Sequence, residues 1–109
     1  MPAQPDRNIT LTVATSTTAS DKFGTGQGKQ GSFQVPATGF TGTIVTVKVS
    51  NDGSTWVNCP VEGNETAAIT VAAGGAYAFP TKAFCFRYIQ LVTTSAQLTD
   101  QAFPVFMRD

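Results

Sequence analysis

Histidine is absent from this chain of 109 residues, and with it go the commonest general base and the commonest metal ligand. A Ser-His or Cys-His catalytic pair therefore cannot be built. Charge is scarce as well. Asp, Glu, Lys and Arg make up 13% of the chain, against about 25% in an ordinary globular domain. Seven cations balance seven acids to a formal net charge of zero. Nucleic-acid binding needs clustered Lys and Arg to replace the counterions of phosphates, and electrostatic membrane attachment needs a similar cluster. Neither partner is expected. Cysteine occurs twice, at Cys59 and Cys85, too few and too widely spaced for a zinc site or a disulfide framework. Two buried, reduced thiols are expected, with a single bridge between sheets as the alternative. No window approaches the ~20 apolar residues of a membrane-spanning helix. The start, Met1-Pro2-Ala3-Gln4-Pro5-Asp6-Arg7, has no basic segment followed by an apolar run, so synthesis in the cytoplasm is expected.

What the chain does contain is alternation. Val45, Val47 and Val49 alternate with Thr46, Lys48 and Ser50, the period that turns one side of a strand to a core and the other to water. Ser50-Asn51-Asp52-Gly53-Ser54 follows as a turn cluster, and Trp56-Val57 begins the return, a hairpin signal. Ile9, Leu11 and Val13 alternate with threonines. Further strands are expected at Ser32-Phe33-Gln34-Val35, Ala68-Ile69-Thr70-Val71, Ala76-Tyr77-Ala78-Phe79, over residues 84–92 and over residues 102–107. Pro104 lacks an N–H and favours an edge or a bulge for the last of these. No stretch shows a sustained helical period with caps. The expected fold is all-β: a two-sheet antiparallel β-sandwich of about eight strands, jelly-roll-like, with an immunoglobulin-like arrangement as the alternative.

Residues 1–8 carry prolines and charges without a period and are expected to form an extended N-terminal arm. Residues 9–109 then form a single domain, since half of so short a chain would be too small to stabilise itself. Residues 15–31 are rich in glycine and small polar side chains and predict a long flexible loop, with Phe23 a lone aromatic in it. Such an aromatic is a candidate anchor for a partner surface, with folding back to cap the sandwich edge as the alternative.

The carboxylates lie mainly in turns and tails. Glu62 and Glu65 come nearest to a pair, on a loop of solvated composition that cannot hold them rigidly across a cleft. The run Gly24-Thr25-Gly26-Gln27-Gly28-Lys29 lacks the spacing and the following helix of a phosphate loop. We expect no catalytic, cofactor-binding or metal-binding residue, and no enzyme. A glycan-binding alternative rests on Trp56, Tyr77 and Phe79, which would form a stacking platform if they point outward.

Three segments carry a resemblance that spans residues 43–92, about half the chain: Val47-Lys48-Val49-Ser50-Asn51-Asp52-Gly53-Ser54-Thr55-Trp56, Gly74-Gly75-Ala76-Tyr77-Ala78-Phe79-Pro80 and Phe86-Arg87-Tyr88-Ile89-Gln90-Leu91. Together they resemble small β-sandwich proteins of tailed bacteriophage virions. The same hairpin and the same "FRYIQL" strand also occur in discoidin-like sandwiches that bind sugars and lipids. With the scarcity of charge and the long polar loop, the chain is similar to capsid decoration (cement) proteins. That resemblance implies a homo-oligomer, trimer or dimer, which binds the major capsid protein on the outer capsid surface of the virion. Contacts would come from Pro2, Gln4, Pro5 and Arg7 of the arm, from Phe23, and from the edge left by residues 103–107. The glycan-binding alternative would place the chain in a phage tail or host-recognition structure.

Overall fold

Alternation decides which side of each strand faces inward, and the inward residues make one core. The computed structural model describes residues 7–26, 29–61 and 67–108, apart from the Arg7 side chain. Among the described residues nine strands run in order: β1 (Arg7–Val13), β2 (Ala19–Gly24), β3 (Gln30–Gln34), β4 (Ile44–Ser50), β5 (Val57–Asn58), β6 (Ala68–Thr70), β7 (Ala76–Ala78), β8 (Tyr88–Thr93) and β9 (Gln101–Arg108). A 3-10 helix at Thr81–Cys85 precedes β8. Among the described residues there is no α-helix.

All nine strands belong to one antiparallel sheet in the order β5-β4-β8-β2-β1-β9-β3-β7, with β6 beside β4. The expectation of an all-β antiparallel fold holds. The hydrogen bonding gives one continuous curled sheet where two separate ones were expected. One wall is β1, β9, β3 and β7, contributing Leu11, Val13, Phe103, Val105, Met107 and Phe33 to the core. The other is β8 with β4, contributing Ile89, Leu91, Val45, Val47 and Val49.

The curl is made at β2. This strand meets β1 only at Val13↔Ser20 and follows β8 from Ala19↔Val92 to Gly24↔Tyr88, with a register shift between Ala19 and Lys22. Bulges of this kind bend a strand and sharpen its twist. Ser20 bridges the irregularity: its hydroxyl accepts from Leu91 N at 3.0 Å and donates to the Asp21 carbonyl at 2.7 Å. Its own carbonyl accepts from Gln90 Nε2 at 2.9 Å.

The expected flexible loop over residues 15–31 is therefore corrected, since β2 lies inside it. The bulge places Ser20 and Phe23 inward, three residues apart, so the segment never shows the period of two that marks a strand. Burying a phenylalanine is worth roughly 1.5–3 kcal/mol, which outweighs the weak strand propensity of its small polar neighbours. At the other terminus, residues 103–107 are not an edge. β9 lies between β1 and β3, with Thr10 opposite Pro104. Pairing with β3 ends at Val105, so Pro104 falls just beyond that ladder. The outer strands of the sheet are β7 at one end and β5 with β6 at the other. Residues 84–92 also divide, because Phe84 and Cys85 belong to the 3-10 helix.

The connections are tied by side chains. Gln97, 1% exposed, behaves like a short piece of strand: Oε1 accepts from Thr41 N at 2.9 Å while Nε2 donates to the Thr41 carbonyl at 2.8 Å. Nε2 also reaches the Ser95 carbonyl at 2.9 Å and Thr93 Oγ1 at 3.2 Å. The Gln97 backbone accepts from Ser16 N and donates to the Thr17 carbonyl. One residue, through its side chain and its backbone, thus holds three loops together.

Neither cysteine is in a disulfide, but the two thiols differ. Cys59 is buried, with its Sγ donating to the Pro60 carbonyl at 3.2 Å, and Cys85 is exposed. The expectation of two buried thiols is corrected for Cys85, which the 3-10 helix turns to solvent.

Two outcomes are expected. Gln97→Ala leaves the Thr41 N–H without its partner and opens a buried space. It should lower unfolding stability by about 2–4 kcal/mol in urea titration. A maleimide reagent should label one thiol per native chain, Cys85, and both only after denaturation, as read by intact-mass spectrometry.

Candidate functional site

The β4–β5 hairpin is built by its own polar atoms. Asp52 Oδ1 accepts from Ser54 N and Thr55 N, each at 2.8 Å, and from Ser50 Oγ at 2.9 Å. Ser50 Oγ in turn accepts from Gly53 N at 2.9 Å. Gly53 takes φ +79°, where a Cβ would stand 2.8 Å from Lys22 Nζ. These bonds hold the Asp52 carboxyl well below the usual carboxylate range, with the Thr55 backbone N–H the largest cause. Asp100 is lowered likewise by the Thr15 backbone N–H and hydroxyl. Asp52 spends its lone pairs closing a turn, and Asp100 spends them fastening Thr15, 85 residues away. Among the described residues no group of three His, Cys, Asp or Glu side chains converges as a metal ligand set. Glu62 and Glu65 lie outside the described residues.

The sequence-predicted site residues fall in different places. Pro2, Gln4 and Pro5 lie outside the described residues, as does the Arg7 side chain. The Arg7 backbone belongs to β1, opposite Met107, and Asn8 lies opposite Phe106, so the last two residues of the expected arm are strand. Phe23 is corrected as a surface anchor: it is 7% exposed, lies opposite Ile89, and its ring centroid is 5.9 Å from that of Phe79.

Trp56, Tyr77 and Phe79 do not form a platform. Phe79 is buried against Phe33 at 5.2 Å and Phe84 at 5.9 Å. Tyr77 is half-buried beside Phe33, and its hydroxyl accepts from Ala72 N at 2.8 Å. Trp56 is half-buried on the β4–β5 hairpin, at the opposite end of the strand order from Tyr77. Packing claims the Phe79 and Tyr77 rings because both lie against the Phe33 ring in the core.

The aromatic turned outward is Phe106, 40% exposed. Asn8 on β1 and Ser32 on β3 stand directly opposite it, and Ala78 on β7 stands opposite Ser32. Two residues along the same strands, and so on the same face, Gln30 pairs with Arg108. The short side chains of Ser32 and Ala78 beside the larger ring leave a groove of about 430 Å³. Its floor continues under Gly31, where a Cβ would meet the Phe106 carbonyl at 2.8 Å and Phe84 Cζ at 2.9 Å. The sequence held the signal for this face. Inward Phe103, Val105 and Met107 leave Phe106 on the other side.

No protein-family model and no curated protein matches this chain. Among solved structures, the SPBc2 prophage-derived protein YomS matches with a TM-score of 0.61 over 100% of this chain and 99% of that one, at 9% identity. The likeness is one of fold. It spans the curled sheet from end to end, and fold by itself does not assign a site.

The hairpin carboxylate gives a pH signature. The Asp52 carboxyl is lowered in the folded chain. Its contribution is therefore complete above the ordinary value near 3.8 and fades as the pH falls below it. Asp52→Ala should lower the thermal midpoint at about pH 7, and the gap to the wild type should narrow towards about pH 2. Asp100 is present in both proteins and cancels from the comparison.

Proposed function

We propose that this chain is a structural protein of a phage virion: a decoration or cement protein that binds the outer capsid surface and stabilises contacts between major capsid protein subunits. It would be made in the host cytoplasm and join the particle as a homo-oligomer. The observation that supports this best is the end-to-end fold likeness to a prophage-derived protein. Two surface properties agree with it. Charged residues make up only 13% of the chain, so little desolvation opposes packing against a large protein shell. Val57, 51% exposed, and Val61, 39% exposed, offer apolar contact on β5 and just beyond it, at one end of the sheet.

Such a protein acts by number. Each copy adds a modest interface across a subunit boundary, and outward pressure on the shell must break many at once. Contacts of this kind use apolar side chains and backbone groups at sheet ends, with little demand for charge.

Quantitative mass spectrometry of particles purified from the infection that produces this chain is the direct check. Copy numbers comparable to the major capsid protein are expected, and Val57→Asp should reduce them at least several-fold without unfolding the chain. A chain absent from the particle, or present in only a handful of copies, overturns the proposal.

A further inference from the structure

We propose that the groove on the outer face of β1, β9, β3 and β7 is a saccharide-binding site, with the Phe106 ring as its stacking surface. This goes beyond the virion assignment and does not depend on it. Three observations converge. An aromatic ring 40% exposed on a regular sheet face keeps its apolar surface in water, where the C–H face of a sugar would cover it. The side chains framing it are those that pair with vicinal hydroxyls: amides at Asn8 and Gln30, which both donate and accept, and the Ser32 hydroxyl. Asn8 and Ser32 flank Phe106 directly across the strands, about 5 Å away by sheet geometry, and Gln30 lies about 7 Å along from Ser32.

The groove's size and rigidity agree. About 430 Å³ falls within the range of small-ligand clefts. Its framing residues stand mainly on four hydrogen-bonded strands, so little backbone ordering is left to oppose binding. Among the described residues Arg108 is the one cation in the lining, and no carboxylate joins it. A nucleic-acid track would need a row of cations along the strand, and a peptide strand would add to a sheet edge instead of a sheet face. Of the glycan platform expected from Trp56, Tyr77 and Phe79, only Phe79 lines this groove, and its ring is buried in the core. Here the strand register, not the abundance of aromatics, brings the ring and the amides together.

The test probes the full chain on an array of bacterial surface oligosaccharides, followed by calorimetric titration of the glycans that bind. A single-stranded thymidine oligonucleotide serves as the competing ligand. Saturable glycan binding is expected, weakened at least about tenfold in Phe106→Ala, or ~1.4 kcal/mol, with the thermal midpoint unchanged. Should Phe106→Ala fail to fold, Gln30→Ala decides by the same criterion. An array without saturable binding, binding that survives the deciding substitution, or preference for the oligonucleotide over every glycan overturns the proposal. None of these readouts involves abundance in a particle, so this proposal and the virion assignment fail separately.

Discussion

The whole molecule depends on one irregularity, the register shift in β2. A nine-stranded antiparallel sheet left flat would present two broad faces, and a chain of this length cannot cover both. By letting β2 touch β1 at a single pair and then run along β8, the bulge folds the sheet over its own apolar side. The Ser20 hydroxyl makes this possible, because Leu91 N would otherwise lose its partner where the ladder is interrupted. A buried backbone donor left unpaired costs about 1–3 kcal/mol. The same shift turns Phe23 inward, where it closes the aromatic group of Phe33, Phe79 and Phe84.

The scarcity of charge has a structural counterpart. Polar groups in the connections are satisfied by other protein groups: Gln97 mimics a paired strand against Thr41, Asp52 closes the β4–β5 turn, and Asp100 fastens Thr15. Among the described residues no buried side-chain nitrogen or oxygen lacks a partner. A surface of threonine, serine and amides can therefore sit against another neutral surface without stranding ions.

The period of two made β1 and β4 legible in the sequence, since valine, leucine and isoleucine alternate there with polar residues. The turn residues marked the hairpin after β4, and β8 showed as part of an apolar run over residues 84–92 whose inward face the run does not reveal. β2 was not legible, because its bulge changes the spacing of its inward residues and its composition is that of a loop. The position of β9 was misjudged from Pro104, whose missing N–H suits an edge but is tolerated just past the end of the β3 ladder. For the outward face, the alternation of residues 103–107 already set Phe106 apart from its neighbours. What no single segment could reveal is that Asn8, Ser32 and Gln30, from β1 and β3, come to surround it. That depends on long-range register, which hydrophobic periodicity does not encode.

β4 is bordered on its outer side by two stubs, β5 opposite Lys48 and Val49 and β6 opposite Ile44 to Thr46. Val47 lies between them, bonded to Ala67 and Cys59. At the far end β7 is itself only three residues long. A strand from another molecule finds no uninterrupted template at either margin. The fold thereby resists runaway cross-β polymerisation.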